Sequence, residues 1–248
     1  MMDIKALREK CQSSRKSCDT WYGLNFARKI SIYITCLFVK IRINAMGATT
    51  IFLLNGIAAA LVFSFGGRVS TLIGALLLQL WYVMDHVDGE VARYNEESSL
   101  TGVYYDEVVH YIVHPLVFFG IGFGLFQIKG NMIYIVSGML AGLSIMLLSI
   151  IVDIKKVVLL SNTEKKEGAV LDDNSDEGPE SLPKKVFSKV YSFCTYPFIM
   201  NVITIAAIID FLAGTMLISV VLLGYAVLLT VVWVMRMSVF ITGRCVDA

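Results

Sequence analysis

Six apolar stretches occupy most of this chain after residue 45: Met46–Phe65, Val69–Met84, Val103–Phe126, Met132–Val152, Tyr191–Leu212 and Met216–Val239. Each is long enough, or nearly so, to cross a hydrocarbon core of about 30 Å as a helix of about 20 residues. The second is the shortest, and its helix is expected to run on past Met84 into polar sequence. An open sheet could not satisfy its backbone hydrogen bonds in lipid, so all six are read as helices. With 56% hydrophobic and only 17% charged residues, the 248-residue chain lies outside the range of soluble domains. The fold class expected is therefore all-α, a polytopic membrane protein with six transmembrane helices.

Charge placement orients the bundle. With six spans, both termini and the loops after spans two and four share one side. That side holds the N-terminal Lys and Arg residues, Arg93, the basic group from Lys155 to Lys189, Arg236 and Arg244, against Arg68 and Lys129 opposite. The basic side is expected to be cytoplasmic, in the cell inner membrane. The net charge of +1 is segregated along the chain and gives no footprint for nucleic acid. Five scattered cysteines form no CxxC pair, which speaks against a zinc knuckle or disulfide framework. No cleavable signal peptide is expected, because the first forty residues are mostly polar or amphipathic.

Ahead of the first span, Trp21–Ile43 carries Phe26, Ile30, Tyr33, Leu37 and Ile41 at helical spacing. That pattern predicts an amphipathic helix lying in the headgroup region. Residues 1–45 are read as the cytoplasmic N-terminus with this helix, 46–240 as the transmembrane domain and 241–248 as a tail. Within the domain, 161–185 is expected to be a flexible cytoplasmic loop.

Charge at membrane depth marks function by default, and the stretch DHVDGEVARYNEESSLTGVYYDEVVH, Asp85 to His110, puts it between spans two and three. Asp85, Asp88 and Ala92 are spaced to share one helix face, and Gly102, Asp106, His110 and His114 form a stripe on the next helix. Three carboxylates meeting in a partly desolvated cleft call for a cation between them. Oxygen ligands select Mg²⁺, Mn²⁺ or Ca²⁺ over softer metals. Gly89, Ala92 and Gly102 leave room for a ligand or for close backbone approach, and Arg93 suits a phosphate. Carboxylate-held cations beside an Arg describe a site for a phosphoanhydride. A solvated cap of acidic residues at a span's end is the plainer alternative.

The stretch resembles the signature of the CDP-alcohol phosphotransferase superfamily, D-x2-D-G-x2-A-R, a spacer of eight, then G-x3-D-x3-D. Asp85, Asp88, Gly89, Ala92, Arg93, Gly102 and Asp106 match in identity and spacing, over about a tenth of the chain. The resemblance implies that Asp85, Asp88 and Asp106 bind two divalent ions, usually Mg²⁺ with Mn²⁺ as the substitute, which hold the pyrophosphate of a CDP-linked donor. It implies that Gly89, Ala92 and Gly102 make room for cytidine and that Arg93 holds the motif or the phosphates. It also implies a homodimer, as members commonly form. At the family's fourth Asp, the general base and second-metal ligand, this chain has His110. Three readings of His110 stay open: a base for the acceptor hydroxyl, since imidazole titrates near operating pH; a retained metal ligand; or the mark of a site without transferase activity.

His114 lies one turn deeper on the stripe and precedes Pro115; it either orients His110 or touches the acceptor, or it is a buried histidine satisfied by a freed carbonyl. His86 is expected off the Asp face and exposed. The expected activity is metal-dependent transfer of a phospho-alcohol group, of phosphatidyl type, from a CDP-linked donor to an acceptor hydroxyl with release of CMP, in phospholipid or lipid-headgroup synthesis. The runner-up reverses the partners, with a CDP-polar alcohol as donor and a lipid or glycan as acceptor. Lys155, Lys189 and Arg236 are acceptor-side candidates, though positive-inside bias explains them equally well. A membrane cation transporter using the same three Asp residues is the rival of another class.

Overall fold

The computed structural model describes residues 4–13, 21–97, 99–166 and 193–241, and these are helical with no strand among them. The elements are α1 (Ile4–Gln12), a π-helical turn (Gly23–Ala27) running into α2 (Arg28–Lys40), α3 (Ala45–Ser64), α4 (Arg68–Asn95), α5 (Leu100–Lys129), α6 (Ile133–Lys166), α7 (Tyr196–Ala213) and α8 (Leu217–Ile241).

Five helices among the described residues are long and apolar enough to cross a membrane: α3, α5, α6 over Ile133–Ile154, α7 and α8 over Leu217–Ser238. The sixth long helix is α4. Its first half is apolar, and its second half continues without a break through Asp85, Asp88, Glu90 and Arg93, as expected for the second stretch. α7 begins at Tyr196 rather than Tyr191, because Pro197 takes the first turn, where a missing N–H costs nothing. Residues 161–166, expected in a loop, extend α6 to Lys166; the rest of that expected loop lies outside the described residues.

Local chemistry sets the other ends. Asn44 caps α3 by accepting from the Gly47 N–H at 2.8 Å, and Ser99 caps α5 by accepting from the Gly102 N–H at 3.0 Å. α5 stops at Gly130 with φ of 66°, a left-handed position that suits glycine. The bundle then closes by near backbone contact. A Cβ at Gly120 or Gly124 of α5 would run into the carbonyl oxygens of Ala60 and Phe63 on α3. This small-xxx-small spacing lets two apolar helices approach where lipid supplies no hydrophobic drive between them.

The core is built on Phe52, Phe63, Leu78, Trp81, Phe118, Ile199 and Met200 from α3, α4, α5 and α7. α2 is reversed relative to a helix of a soluble domain. Phe26, Ile30, Tyr33, Leu37 and Ile41 are its exposed face, while Arg28, Ser31 and Thr35 turn inward with Ile32, Cys36 and Phe38. A small separate core of Leu7, Cys11, Ile32 and Cys36 joins α1 to α2.

Candidate functional site

The second half of α4 and the first half of α5 bring the two motif faces together. His110 Nε2 lies 3.1 Å from Asp85 Oδ1 and 3.5 Å from Asp106 Oδ1. Ligand atoms of these three residues all fall within 4.8 Å of one another. Asp106 Oδ1 is buried and has His110 Nε2, at 3.5 Å, as its facing polar atom. Two carboxylate oxygens and one imidazole nitrogen form a donor set that could hold a divalent ion. An Nε2 lone pair facing two carboxylates would be repelled, so this edge requires a positive species, a proton or a metal.

Asp88 stands beside this trio, not in it. It is 6% exposed, and its Oδ1 accepts from the Gly89 N–H at 2.5 Å while Oδ2 accepts from Thr49 Oγ1 at 3.2 Å. It remains in electrostatic reach of Asp106 and Asp85. The face was expected to present three Asp side chains to one point; it presents two, with His110 as the third member, because Thr49 on α3 draws Asp88 aside. His86, expected to be exposed, is nearly buried: its Nδ1 is 3.0 Å from the Tyr82 carbonyl and 3.8 Å from Asp85 Oδ2.

Behind His110 lies an aromatic wall. His114 Nε2 is 3.4 Å from His110 Nδ1, and the His114 ring stacks on Tyr196 at 3.6 Å between centroids. Trp81 sets its edge against His110, His114 and Tyr196. The stripe expected from spacing therefore exists, and its deep end is shut by Tyr196, a residue that no local signal marks.

Of the small residues, Gly102 is open: a Cβ there would meet only the Ser99 hydroxyl, at 3.3 Å. Gly89 is occupied from within the chain, since a Cβ there would lie 3.2 Å from Nη1 of Arg93. Arg93 donates from Nε to the Cys11 carbonyl at 2.6 Å. Ala92 sits half-buried between them. Arg236, half-buried on α8, is within electrostatic reach of Cys194, two residues ahead of α7. The Lys155 side chain and the whole of Lys189 lie outside the described residues.

Glu90, unmarked by the motif, is fully buried. Its Oε1 accepts from Gln12 Nε2 at 2.7 Å and Ser31 Oγ at 2.6 Å, and its Oε2 from Thr35 Oγ1 at 2.7 Å. Burial, then this carboxylate, pushes the Cys11 thiol up, with Arg93 and Lys10 opposing. No protein-family model matches the chain, and no curated protein matches it significantly. The chemistry of the site thus rests on its own residues.

Proposed function

We propose that the chain is an integral membrane transferase of the CDP-alcohol phosphotransferase type, with α3 to α8 as six spans. The observation that carries the proposal is the meeting of Asp85, Asp106 and His110 within 4.8 Å, on helices whose residues match the family's signature at seven positions. The site then faces the cytoplasm of a cell inner membrane, by the distribution of basic residues. The outward apolar stripe of α2 suits a helix lying in the headgroup region beside it.

In this proposal Asp85 and Asp106 would hold one divalent ion and Asp88 would serve a second, leaving the Nε2 lone pair of His110 free. Such ions, Mg²⁺ or Mn²⁺, supply the positive charge that a pyrophosphate and its departing CMP need. His110 takes the proton of the acceptor hydroxyl at Nε2, while its Nδ1 is backed by His114. The hydroxyl oxygen forms a bond to the phosphorus next to the donor alcohol, the bond from that phosphorus to the CMP oxygen breaks, and a phosphodiester results. A CDP-diacylglycerol donor with a small polar alcohol as acceptor is the first assignment.

The rival cation pathway finds less support. Asp210 is occupied as the cap of α8, accepting from Thr215 Oγ1 and the N–H groups of Leu217 and Ile218. Asp153 accepts from Tyr111 at 2.5 Å. The deciding assay is CMP release by the detergent-purified chain from CDP-diacylglycerol and from CDP-polar alcohols, across a panel of acceptors, with Mg²⁺, Mn²⁺ or EDTA. Metal-dependent CMP release is expected. Its absence throughout the panel would refute the proposal.

A further inference from the structure

We infer that Arg93 and Glu90 are positioning residues that clamp the N-terminal helix α1 onto α4, the helix that carries Asp85 and Asp88. This reassigns Arg93 away from the phosphate contact that the motif suggests. The clamp itself follows from geometry, and only its effect on turnover rests on the proposed transferase reading.

Three observations converge on it. First, Arg93 Nε donates to the carbonyl of Cys11, next to the last residue of α1. Carbonyls in a helix's last turn lack partners inside the helix and carry its negative end, so a guanidinium there satisfies both needs. Second, the guanidinium lies against Gly89, one turn back on its own helix. The spacing of Gly89 and Arg93 thus has a reason that needs no nucleotide: a Cβ at 89 would crowd the seated guanidinium, at 3.2 Å from Nη1. Third, Glu90 projects from α4 toward α1 and α2, fully buried, and binds Gln12, the final residue of α1, together with Ser31 and Thr35 of α2. Gln12 Nε2 also donates to the Arg28 carbonyl at 2.8 Å, so one side chain ties all three helices.

The consequence is mechanical. α4 carries Asp85 and Asp88 on one side and is gripped through Glu90 and Arg93 from another. The apolar contact of α1 is small, Leu7 and Cys11 against Ile32 and Cys36, so the polar knot supplies much of its hold. The clamp fixes the rotation of α4's polar half about its axis, and with it the approach of Asp85 to His110.

Cys11 is a built-in reporter. It is fully buried on the inner face of α1, Cys36 is buried in the same small core, and Cys194 is buried outside that core, just ahead of α7. The test is maleimide labelling of the full-length chain in detergent, with each labelled cysteine located by mass spectrometry. Arg93→Ala and Glu90→Ala should raise the labelling rate of Cys11 by about ten- to a hundredfold, the equilibrium equivalent of losing one charge-assisted hydrogen bond. Cys194 should stay protected, and Arg93→Lys should fall between. Protection of Cys11 unchanged in Arg93→Ala and Glu90→Ala overturns the clamp. Exposure of Cys194 together with Cys11 in both Arg93→Ala and Arg93→Lys also overturns it, because Arg93 would then hold the whole bundle.

A kinetic arm separates positioning from phosphate binding. With CDP-diacylglycerol as the varied substrate, Arg93→Ala should lower kcat and leave KM within about twofold, as for a residue that contributes only through the placement of others. A rise in KM with kcat retained assigns Arg93 to the phosphates and overturns its positioning role. If the parent chain releases no CMP at all, the transferase reading fails, and the labelling result still decides the clamp.

Discussion

Replacing His110 by alanine should couple the stability of this protein to divalent metal more steeply than in the parent. Atoms of Asp85, Asp106 and His110 lie within 4.8 Å of one another, and a protonated imidazole between the carboxylates relieves their repulsion when metal is absent. Two unit charges 4.8 Å apart repel by about 3.5 kcal/mol at an effective dielectric constant of about 20. Asp106 is 38% exposed along its side chain, and solvent screening reduces that figure to about 2 kcal/mol. For a chain of this length, this corresponds to about 4–8 °C in Tm. The assay is a thermal melt of parent and His110→Ala, each in EDTA and in saturating Mg²⁺ or Mn²⁺. Loss of ring packing against Phe52 and Trp81 lowers both melts of the variant alike and drops out of the difference. The metal-induced rise should be larger in His110→Ala by about the amount above. Equal rises in the two proteins would refute the idea that His110 supplies the positive charge of this cluster.

Other outcomes follow from the same contacts. Asp88→Ala should abolish CMP release, since a carboxylate beside the cluster is lost; a parental rate would remove Asp88 from the chemistry. His110→Asp restores the family pattern and should keep or raise turnover, while His110→Ala should lose it; an alanine variant as active as the parent would show that His110 is not the base. Thr35→Val keeps the side-chain shape but deletes one bond to buried Glu90 and should cost about 1.5–3 kcal/mol in denaturant unfolding. Gly124→Val drives a side chain into the Phe63 carbonyl and should destabilise by about 1–3 kcal/mol or more, read as a lowered Tm.

Most helices were legible because lipid-length apolar runs admit few alternatives. The errors arose where polarity and helix part company. α6 runs to Lys166 through charged residues that look like loop, and α7 starts late because Pro197 fits only its first turn. The pairing of the motif faces was also legible, since helical spacing alone puts Asp85 in line with Asp88 and Asp106 with His110. What spacing does not encode is the aim of a side chain toward a third helix. Thr49 on α3 turns Asp88 aside, and Tyr196, more than eighty residues beyond His114, closes the stripe. Gly120 and Gly124 carried a readable small-xxx-small signal for the α3–α5 contact.

The inverted helix α2 and the buried Glu90 explain each other. In a water-soluble bundle, Phe26, Ile30, Tyr33, Leu37 and Ile41 would face inward and Ser31 and Thr35 outward. Here Ser31 and Thr35 are needed inside, because a carboxylate without water must be met by donors from every side. The apolar stripe is thereby released to the outer surface, where exposure to water would be unfavourable and contact with lipid is favourable. Glu90 thus favours the headgroup placement proposed for α2: it draws the polar face inward by hydrogen bonds and leaves the apolar face on the outer surface. A Glu90→Leu variant removes the first of these influences. It leaves the buried Ser31 and Thr35 hydroxyls without the Glu90 acceptor and Gln12 with only the Arg28 carbonyl, so it should loosen α2 as well as α1. Labelling of Cys36 on α2 alongside Cys11 would register that.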